Sequence, residues 1–148
     1  MINFSEGKLS LGAQELFFTS DCGRLTSFCA QGLIEKRQDP GGGEPYFYGV
    51  TIVAGMKFGL VITPKEDKIA SLALHWLDGP CTGQGWDGVS DELLWSEYRL
   101  LLKFVQKNGG GQPDRKQERQ HTWYFKWGQV VVSYQQRDFV TGIFIQCR

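Results

Sequence analysis

The chain has 148 residues, of which 41% are hydrophobic, 14% aromatic and 22% charged, and its sixteen Lys and Arg residues balance sixteen Asp and Glu residues. The balanced charge excludes the strongly basic class of nucleic-acid-binding proteins, and the apolar content excludes the disordered class. The length is typical of one domain. We therefore expect a single α+β domain over residues 1–148, with an N-terminal segment at 1–45 and a sheet and helix core at 46–148.

The apolar stretches are only a few residues long, which excludes a membrane-spanning helix, so we expect no membrane partner. The first eight residues lack a basic region followed by an apolar one, and this favours a cytoplasmic location. The cysteines contain no C-x-x-C pair, so we expect free thiols that pack as small hydrophobic side chains. These residues are Cys22, Cys29, Cys81 and Cys147.

In the N-terminal segment, the sequence predicts two short strands, at residues 8–11 and 16–19, followed by a short helix. Ser20 and Asp21 provide oxygens that can cap a helix. The apolar side chains that follow have helical spacing and end near Gly32. The composition of residues 39–45, with two prolines and three consecutive glycines, indicates a loop that separates this segment from the core sheet.

Alternating apolar residues then predict three antiparallel strands joined by short turns. The alternation runs over residues 46–52, 58–62 and 69–76. On the first of these strands, Tyr46, Tyr48, Val50 and Ile52 share one face. The connections are short, so the three strands form a meander.

From Ser90 the spacing changes from a strand to a helix. Apolar residues recur at i, i+4, i+7, i+8 and i+11, which places them on one stripe of a helix over residues 90–108. The stripe consists of Leu94, Tyr98, Leu101, Leu102 and Val105. Ser90 can cap the helix, Asp91 and Glu92 complement the positive end of its dipole, and Gly109 can close it.

A polar loop over residues 110–120 leads to three further alternating segments. Trp123, Phe125 and Trp127 are interpreted as core residues that face the long helix, although a binding face is the alternative. The predicted fold is α+β: one antiparallel sheet of about six strands, one long helix packed on one face, and a short N-terminal helix.

No motif specifies a reaction, and no catalytic residue or cofactor is predicted. Residues 83–88 match G-x-G-x-x-G, but the loop is long and contains the bulky Trp86, so a surface loop is favoured over a dinucleotide site. His75 and His121 have no partners at metal-ligand spacing, and no metal is expected. A nucleophilic Cys29 or Cys81 beside a histidine is the enzymatic alternative.

A protein-binding surface is predicted around the start of the long helix. Trp86 and Trp95 are candidate anchors, and Asp87, Asp91 and Glu92 surround them, so the patch would attract a basic protein partner. The alternatives are that Trp86 packs on Trp95 and that the acids only serve the helix dipole.

Two other surfaces and one other function stay open. A basic loop with Arg115, Lys116 and Arg119 is a second candidate surface, and an open edge strand could support a homodimer. The other function is a small-molecule-binding domain, with its pocket between the aromatic sheet and either the helix or the N-terminal segment.

The order of features from Phe58 onward resembles small bacterial α+β proteins of the toxin-immunity and mobile-cassette type. These features are the strand at 69–77, Trp86, the helix from Ser90 to Gly109, the segment 127–130 and a closing hairpin. The resemblance implies a cytoplasmic, non-enzymatic protein that neutralises a cognate toxin by binding it. It implies no particular site residue.

Overall fold

The computed structural model describes residues 1–82, 88–135 and 140–148, and within these ranges the fold is α+β with antiparallel sheets. The N-terminal strands form a three-stranded sheet in the order β1-β2-β3. Their bounds are Ile2–Asn3, Lys8–Leu11 and Gln14–Phe17. The sequence predicted the second strand and the approximate position of the third.

The short N-terminal helix is confirmed as α1, Cys22–Ala30. The Asp21 side chain accepts a hydrogen bond from the backbone N–H of Arg24 at 2.9 Å, and this satisfies one of the free donors of the first turn. Leu25 and Phe28 are buried on the inner side of the helix. The helix cap and the spacing of apolar residues, both local features, thus determine where this helix forms.

The main sheet has eight strands, which corrects the prediction of one sheet of about six strands. Its order is β4-β5-β6-β7-β11-β10-β9-β8, with all neighbours antiparallel. The first four strands are Ile34–Arg37, Tyr46–Val53, Met56–Lys65 and Lys68–Trp76. The last four are Arg115–Gln117, Gln120–Phe125, Gly128–Gln135 and Val140–Cys147.

The two unpredicted strands of this sheet are its edges, β4 and β8. Only Ile34 of β4 is buried, and every residue of β8 is exposed, so neither segment has the apolar alternation that marks a strand. Strand β4 precedes the loop at 39–45, so part of the predicted N-terminal segment belongs to the main sheet.

Helix α2 spans Asp91–Val105, and its cap is as predicted, because the Ser90 hydroxyl accepts from the N–H of Leu93 at 3.2 Å. Leu94, Tyr98, Leu101 and Val105 are buried, whereas Leu102 is half-buried. The regular helix ends earlier than predicted, and a wider turn, Gln106–Gly110, follows. Gly109 adopts φ 96° there, a backbone conformation that favours glycine.

Among the described residues, the order of helix and strands is the same on both sides of the centre of the main sheet. A helix and four antiparallel strands, α1 with β4 to β7, are followed by α2 with β8 to β11. The final strands of the two units, β7 and β11, pair with each other. The sheet is therefore two four-stranded meanders joined by their last strands.

The helices and the three-stranded sheet pack on one side of the main sheet, which we call the inner face. Buried residues of α1, α2 and the N-terminal strands join those of the main sheet in one apolar cluster. The opposite side is the outer face. No helix in the described ranges is both long enough and apolar enough to cross a membrane.

Candidate functional site

The predicted acidic patch is only partly within the described residues. Trp86 and Asp87 lie outside them. Asp91 and Glu92 are exposed in the first turn of α2, as expected for residues that complement the helix dipole. Trp95 is half-buried, and the structure brings it onto the main sheet instead of leaving its ring free.

Trp95 packs in a cluster of aromatic rings. Its indole stacks on Tyr134 with ring centres 4.7 Å apart, and its edge meets Tyr98 at 5.6 Å. The Tyr134 hydroxyl donates to the Asp91 carboxylate at 2.6 Å. Burial is the largest cause that raises the pKa of Tyr134 to about 12, and this hydrogen bond is the next largest. Trp95 and Asp91 therefore help to hold α2 on β10.

The structure buries Glu97, which the charge pattern of the sequence grouped with the surface acids around the start of the long helix. Glu97 accepts hydrogen bonds from the Thr141 hydroxyl and from the backbone N–H of Cys81, the latter at 3.4 Å. Burial and the nearby Glu97 raise the pKa of the Cys81 thiol to about 11. The signal in the sequence that could have indicated this burial is the position of Glu97 at i+3 from Leu94, beside the apolar stripe of the helix.

The two histidines lie in different places. His121 is half-buried, and its Nδ1 is 2.6 Å from the Tyr98 hydroxyl; burial, with Lys116 nearby, lowers its pKa. His75 lies on the outer face near the ring of Phe144, and burial lowers its pKa as well. Among the described residues, no group of three or more His, Cys, Asp or Glu side chains could hold a metal ion.

The space between the main sheet and α2 is occupied by core side chains. The helix residues Leu94, Leu101 and Val105 are fully buried, and so are the inner-facing residues Val130, Val132, Ile143 and Ile145 of β10 and β11. Trp123 lies in the same core, and its indole N–H donates to the carbonyl of Gly111 at 2.9 Å. Packing thus fills the space between the main sheet and α2. A depression of about 700 Å³, lined by residues that include Leu11, Cys29 and Tyr48, lies between the N-terminal segment and the sheet, which is the other place where the sequence suggested a small-molecule pocket.

The three aromatic residues after the loop at 110–120 do not all face the long helix. Phe125 and Trp127 are half-buried and stack on each other. Trp127 also contacts Phe18 edge-on and donates its indole N–H to the carbonyl of Phe4 at 2.9 Å. It therefore joins the N-terminal strands to the main sheet.

One row of side chains crosses the whole outer face in register, and we call it the central row. It runs through all eight strands as Glu35, Tyr48, Val61, Ala73, Phe144, Val131, Thr122 and Arg115. Charged residues occupy only its two ends. The six residues between them are neutral and mostly apolar.

The rows on either side of the central row are also neutral. From β5 to β9 their outer positions carry aromatic, amide, hydroxyl and small side chains, together with the imidazole of His75. These positions are Tyr46, Val50, Gly59, Thr63, Ser71, His75, Gln120, Tyr124, Gln129, Ser133, Gly142 and Gln146. An uncharged surface of this width is unusual, because the rest of a protein surface is rich in charged side chains.

Several large apolar side chains on the outer face are well exposed. They include Val50, Tyr124, Val140 and Ile52, of which Ile52 is 67% exposed. Two shallow depressions flank the centre of the face. One, of about 500 Å³, is lined by Tyr46, Tyr48 and Val61 and, on its edge side, by the charged residues Arg37, Asp39 and Glu44. The other, of about 270 Å³, is lined by residues that include Val131, Ser133 and Phe144.

The sequence contained a signal for this surface, on β5. The predicted alternation of Tyr46, Tyr48, Val50 and Ile52 is correct, but these residues lie on the outer face. The inner face of β5 carries Phe47 and Val53, which are buried. A strand that is apolar on both faces is typical of a sheet that is covered on both sides.

Comparisons with known protein families, with curated proteins and with solved structures find no match to this chain.

Proposed function

We propose that the chain is a non-enzymatic protein-binding module whose docking surface is the outer face of the main sheet. The neutral, aromatic-rich set of outer-facing side chains from β5 to β9 is the observation that supports this function. A partner protein that covers these side chains would remove their exposed apolar area from water.

The arrangement of residues on the outer face matches the composition of protein interfaces. Interface centres are depleted in charged residues and enriched in Tyr, Phe and Arg, while charged side chains lie at the rim. Here Tyr48 and Phe144 occupy the centre, and the guanidinium of Arg37 lies over the Tyr48 ring at 4.0 Å. The two depressions beside the central row could each accept an anchoring side chain.

The partner that the immunity-type resemblance implies is a protein toxin, which this module would neutralise by covering it. The described residues of the predicted acidic patch, Asp91, Glu92 and Trp95, lie on α2, which packs on the inner face. Asp91 and Glu92 therefore remain a second candidate surface for a basic partner. Trp95 is packed against Tyr134, so its contribution to binding would be smaller than that of a free indole.

The proposal is tested by capture of partners from the native cell with the tagged chain and with two lysine variants. Val131→Lys places a charge at the centre of the outer face and should abolish capture. Leu100→Lys is the matched control, because Leu100 is an exposed apolar residue on α2 and lies away from this face. Circular dichroism checks that both variants fold.

The result that would overturn the proposed surface is equally specific. If Val131→Lys retains a partner that the double variant Asp91→Asn, Glu92→Gln loses, the interface is the acidic patch at the start of α2. If a small ligand, and no protein, is retained by the chain and lost with Val131→Lys, the outer face is a ligand site and the chain is not a protein-binding module.

A further inference from the structure

We propose that the outer face binds a second copy of this chain, in a two-fold dimer whose axis runs parallel to the strands between β7 and β11. The inference rests on the proposed function to the extent that the outer face is a protein-binding surface. It names a second copy as the occupant of this surface in the free chain, which a toxin partner would have to displace, and it fixes the relative orientation of the two copies.

The central row determines this orientation. Four of its residues lie on each side of the boundary between β7 and β11, at the paired residues Ala73 and Phe144. A two-fold axis above this boundary, parallel to the strands, places the central row of the second copy directly over that of the first. The order of the residues along the row is reversed in the second copy. Each residue then faces the residue at the same distance from the centre on the other side.

The residues that face each other are complementary in size and charge. The Phe144 position of one copy faces the small Ala73 of the other, with the Phe144 ring leaning over Gly142 of its own strand, and Val61 faces Val131. At the ends of the row, Glu35 lies near Arg115 of the second copy, an acid beside a base. Glu35 also pairs with Arg37 within its own chain, and a carboxylate can accept from both guanidinium groups.

The alternative two-fold axis, perpendicular to the strands, gives a poorer match. Each residue of the central row would then face its own copy. Phe144 would meet Phe144 at the centre, and Glu35 and Arg115 would each meet a like charge at the edges. Like charges that face each other are destabilising, so the first axis is preferred.

The size of the outer face is sufficient for a stable pair. Six strands at about 4.8 Å and seven residues at about 3.4 Å give a face of roughly 29 by 24 Å, or roughly 700 Å² per copy. Two copies would bury roughly 1,400 Å², which lies within the range of about 1,200 to 2,000 Å² for specific interfaces. Sheets pack face to face about 10 Å apart, which leaves room for interdigitated side chains.

Sedimentation velocity of the purified chain, from micromolar to submillimolar concentration, tests the inference. We expect a monomer–dimer equilibrium, with a dimer of twice the monomer mass. Phe144→Lys should weaken dimerisation by about tenfold or more, because it places a charge opposite Ala73. Leu100→Lys, the control away from the face, should leave the equilibrium unchanged.

Charge exchange at the ends of the central row tests the orientation. Glu35→Lys and Arg115→Glu should each weaken the dimer, and the double variant should recover at least part of the loss, because it restores opposite charges across the interface. A double variant that is weaker than both single variants would overturn the proposed axis.

The failure of this inference is distinguishable from failure of the proposed function. A chain that stays monomeric throughout the concentration range, but still loses a captured protein with Val131→Lys, overturns the dimer and leaves the proposed function intact. A dimer that Phe144→Lys leaves unchanged overturns the assignment of the second copy to this face.

Discussion

Glu97 lies on the buried side of α2 and is only 5% exposed, a position where a charged residue must have hydrogen-bond partners. Its two carboxylate oxygens accept from Thr141 of β11 and from the backbone of Cys81, in the segment after β7. One side chain thus connects α2 to the central strand β11 and to the segment that follows β7. We interpret Glu97 as a structural residue that positions the segment at 79–82.

Replacement of Glu97 should therefore lower stability. Glu97→Ala leaves the Thr141 hydroxyl and the Cys81 N–H without their acceptor, and we expect a loss of about 1 to 3 kcal/mol in the free energy of unfolding. Urea unfolding followed by circular dichroism measures it. Glu92→Ala, in the exposed first turn of the same helix, is the control and should change stability by about 0.5 kcal/mol or less. Equal losses in the two variants would contradict a structural role for Glu97.

At the scale of elements, α2 is the helix that the sequence specified best, and its two adjacent leucines show why. Leu101 is fully buried and Leu100 is 40% exposed, although the two residues are chemically identical. The helical period alone separates them, because consecutive residues point 100° apart on a helix. The cap at Ser90 and the acids of the first turn act locally, so they are readable in sequence.

The two leucines provide a matched pair of variants. Leu101→Ala should lower the free energy of unfolding by about 2 to 5 kcal/mol, because it removes a fully buried side chain from the core. Leu100→Ala should have an effect of about 0.5 kcal/mol or less. Both midpoints can be measured by urea titration. An unfolding midpoint that Leu101→Ala leaves at the wild-type value would show that the stripe on α2 is not part of the core.

The edge strands behave differently from α2. Strands β4 and β8 are short, and β8 carries Arg115 and Lys116, side chains that discourage pairing with another edge. Their residues have almost no apolar pattern, because an edge strand is held by backbone hydrogen bonds to its neighbour. Those bonds depend on where the neighbour lies, and the local sequence does not contain that information.

At the scale of the whole molecule, several weak acids are held in their neutral forms by burial. The pKa values of Cys81 and Cys147 are raised to about 11, and those of Tyr98 and Tyr134 to about 12. Desolvation by burial is the largest cause for all four residues. The groups are distributed over α2, β10, β11 and the segment after β7, so their ionisation opposes the fold as a whole.

These shifts predict alkaline unfolding. A raised pKa means that the folded state holds its proton more tightly, so the stabilisation is complete below the ordinary pKa and is lost as the pH rises through the folded value. Stability should be constant up to about pH 9 and then fall, with the cysteines acting up to about pH 11 and the tyrosines up to about pH 12. Urea midpoints measured under reducing conditions test this.

The control for the alkaline prediction is the double variant Cys81→Ala, Cys147→Ala. It removes two of the titrating groups, so its midpoint should decline less between about pH 9 and about pH 11 than that of the wild-type chain. A wild-type midpoint that is constant up to pH 11 would show that burial of these groups does not control stability there.

The local features of this protein were determined by sequence alone. The α+β class, α1 with its Asp21 cap, α2 with its buried stripe, and the alternation along β5, β6 and β7 follow from periodicity and capping. Both signals act over a few residues and are therefore present in the printed sequence. The contact between Trp95 and Tyr134 could not be predicted from these local signals, because the two residues lie on elements that are distant in the chain.

Tertiary structure decided which surface is available to a partner. An alternation with period two places Tyr48 and Val50 on one face of β5, but it does not say which face is covered. That was decided when Phe47 and Val53 were buried in the apolar cluster of the inner face and when β7 paired with β11. The paired residues Ala73 and Phe144 are far apart in sequence. The pairing joins two meanders into one uncharged outer face, because hydrogen bonds between distant strands set the register across the sheet.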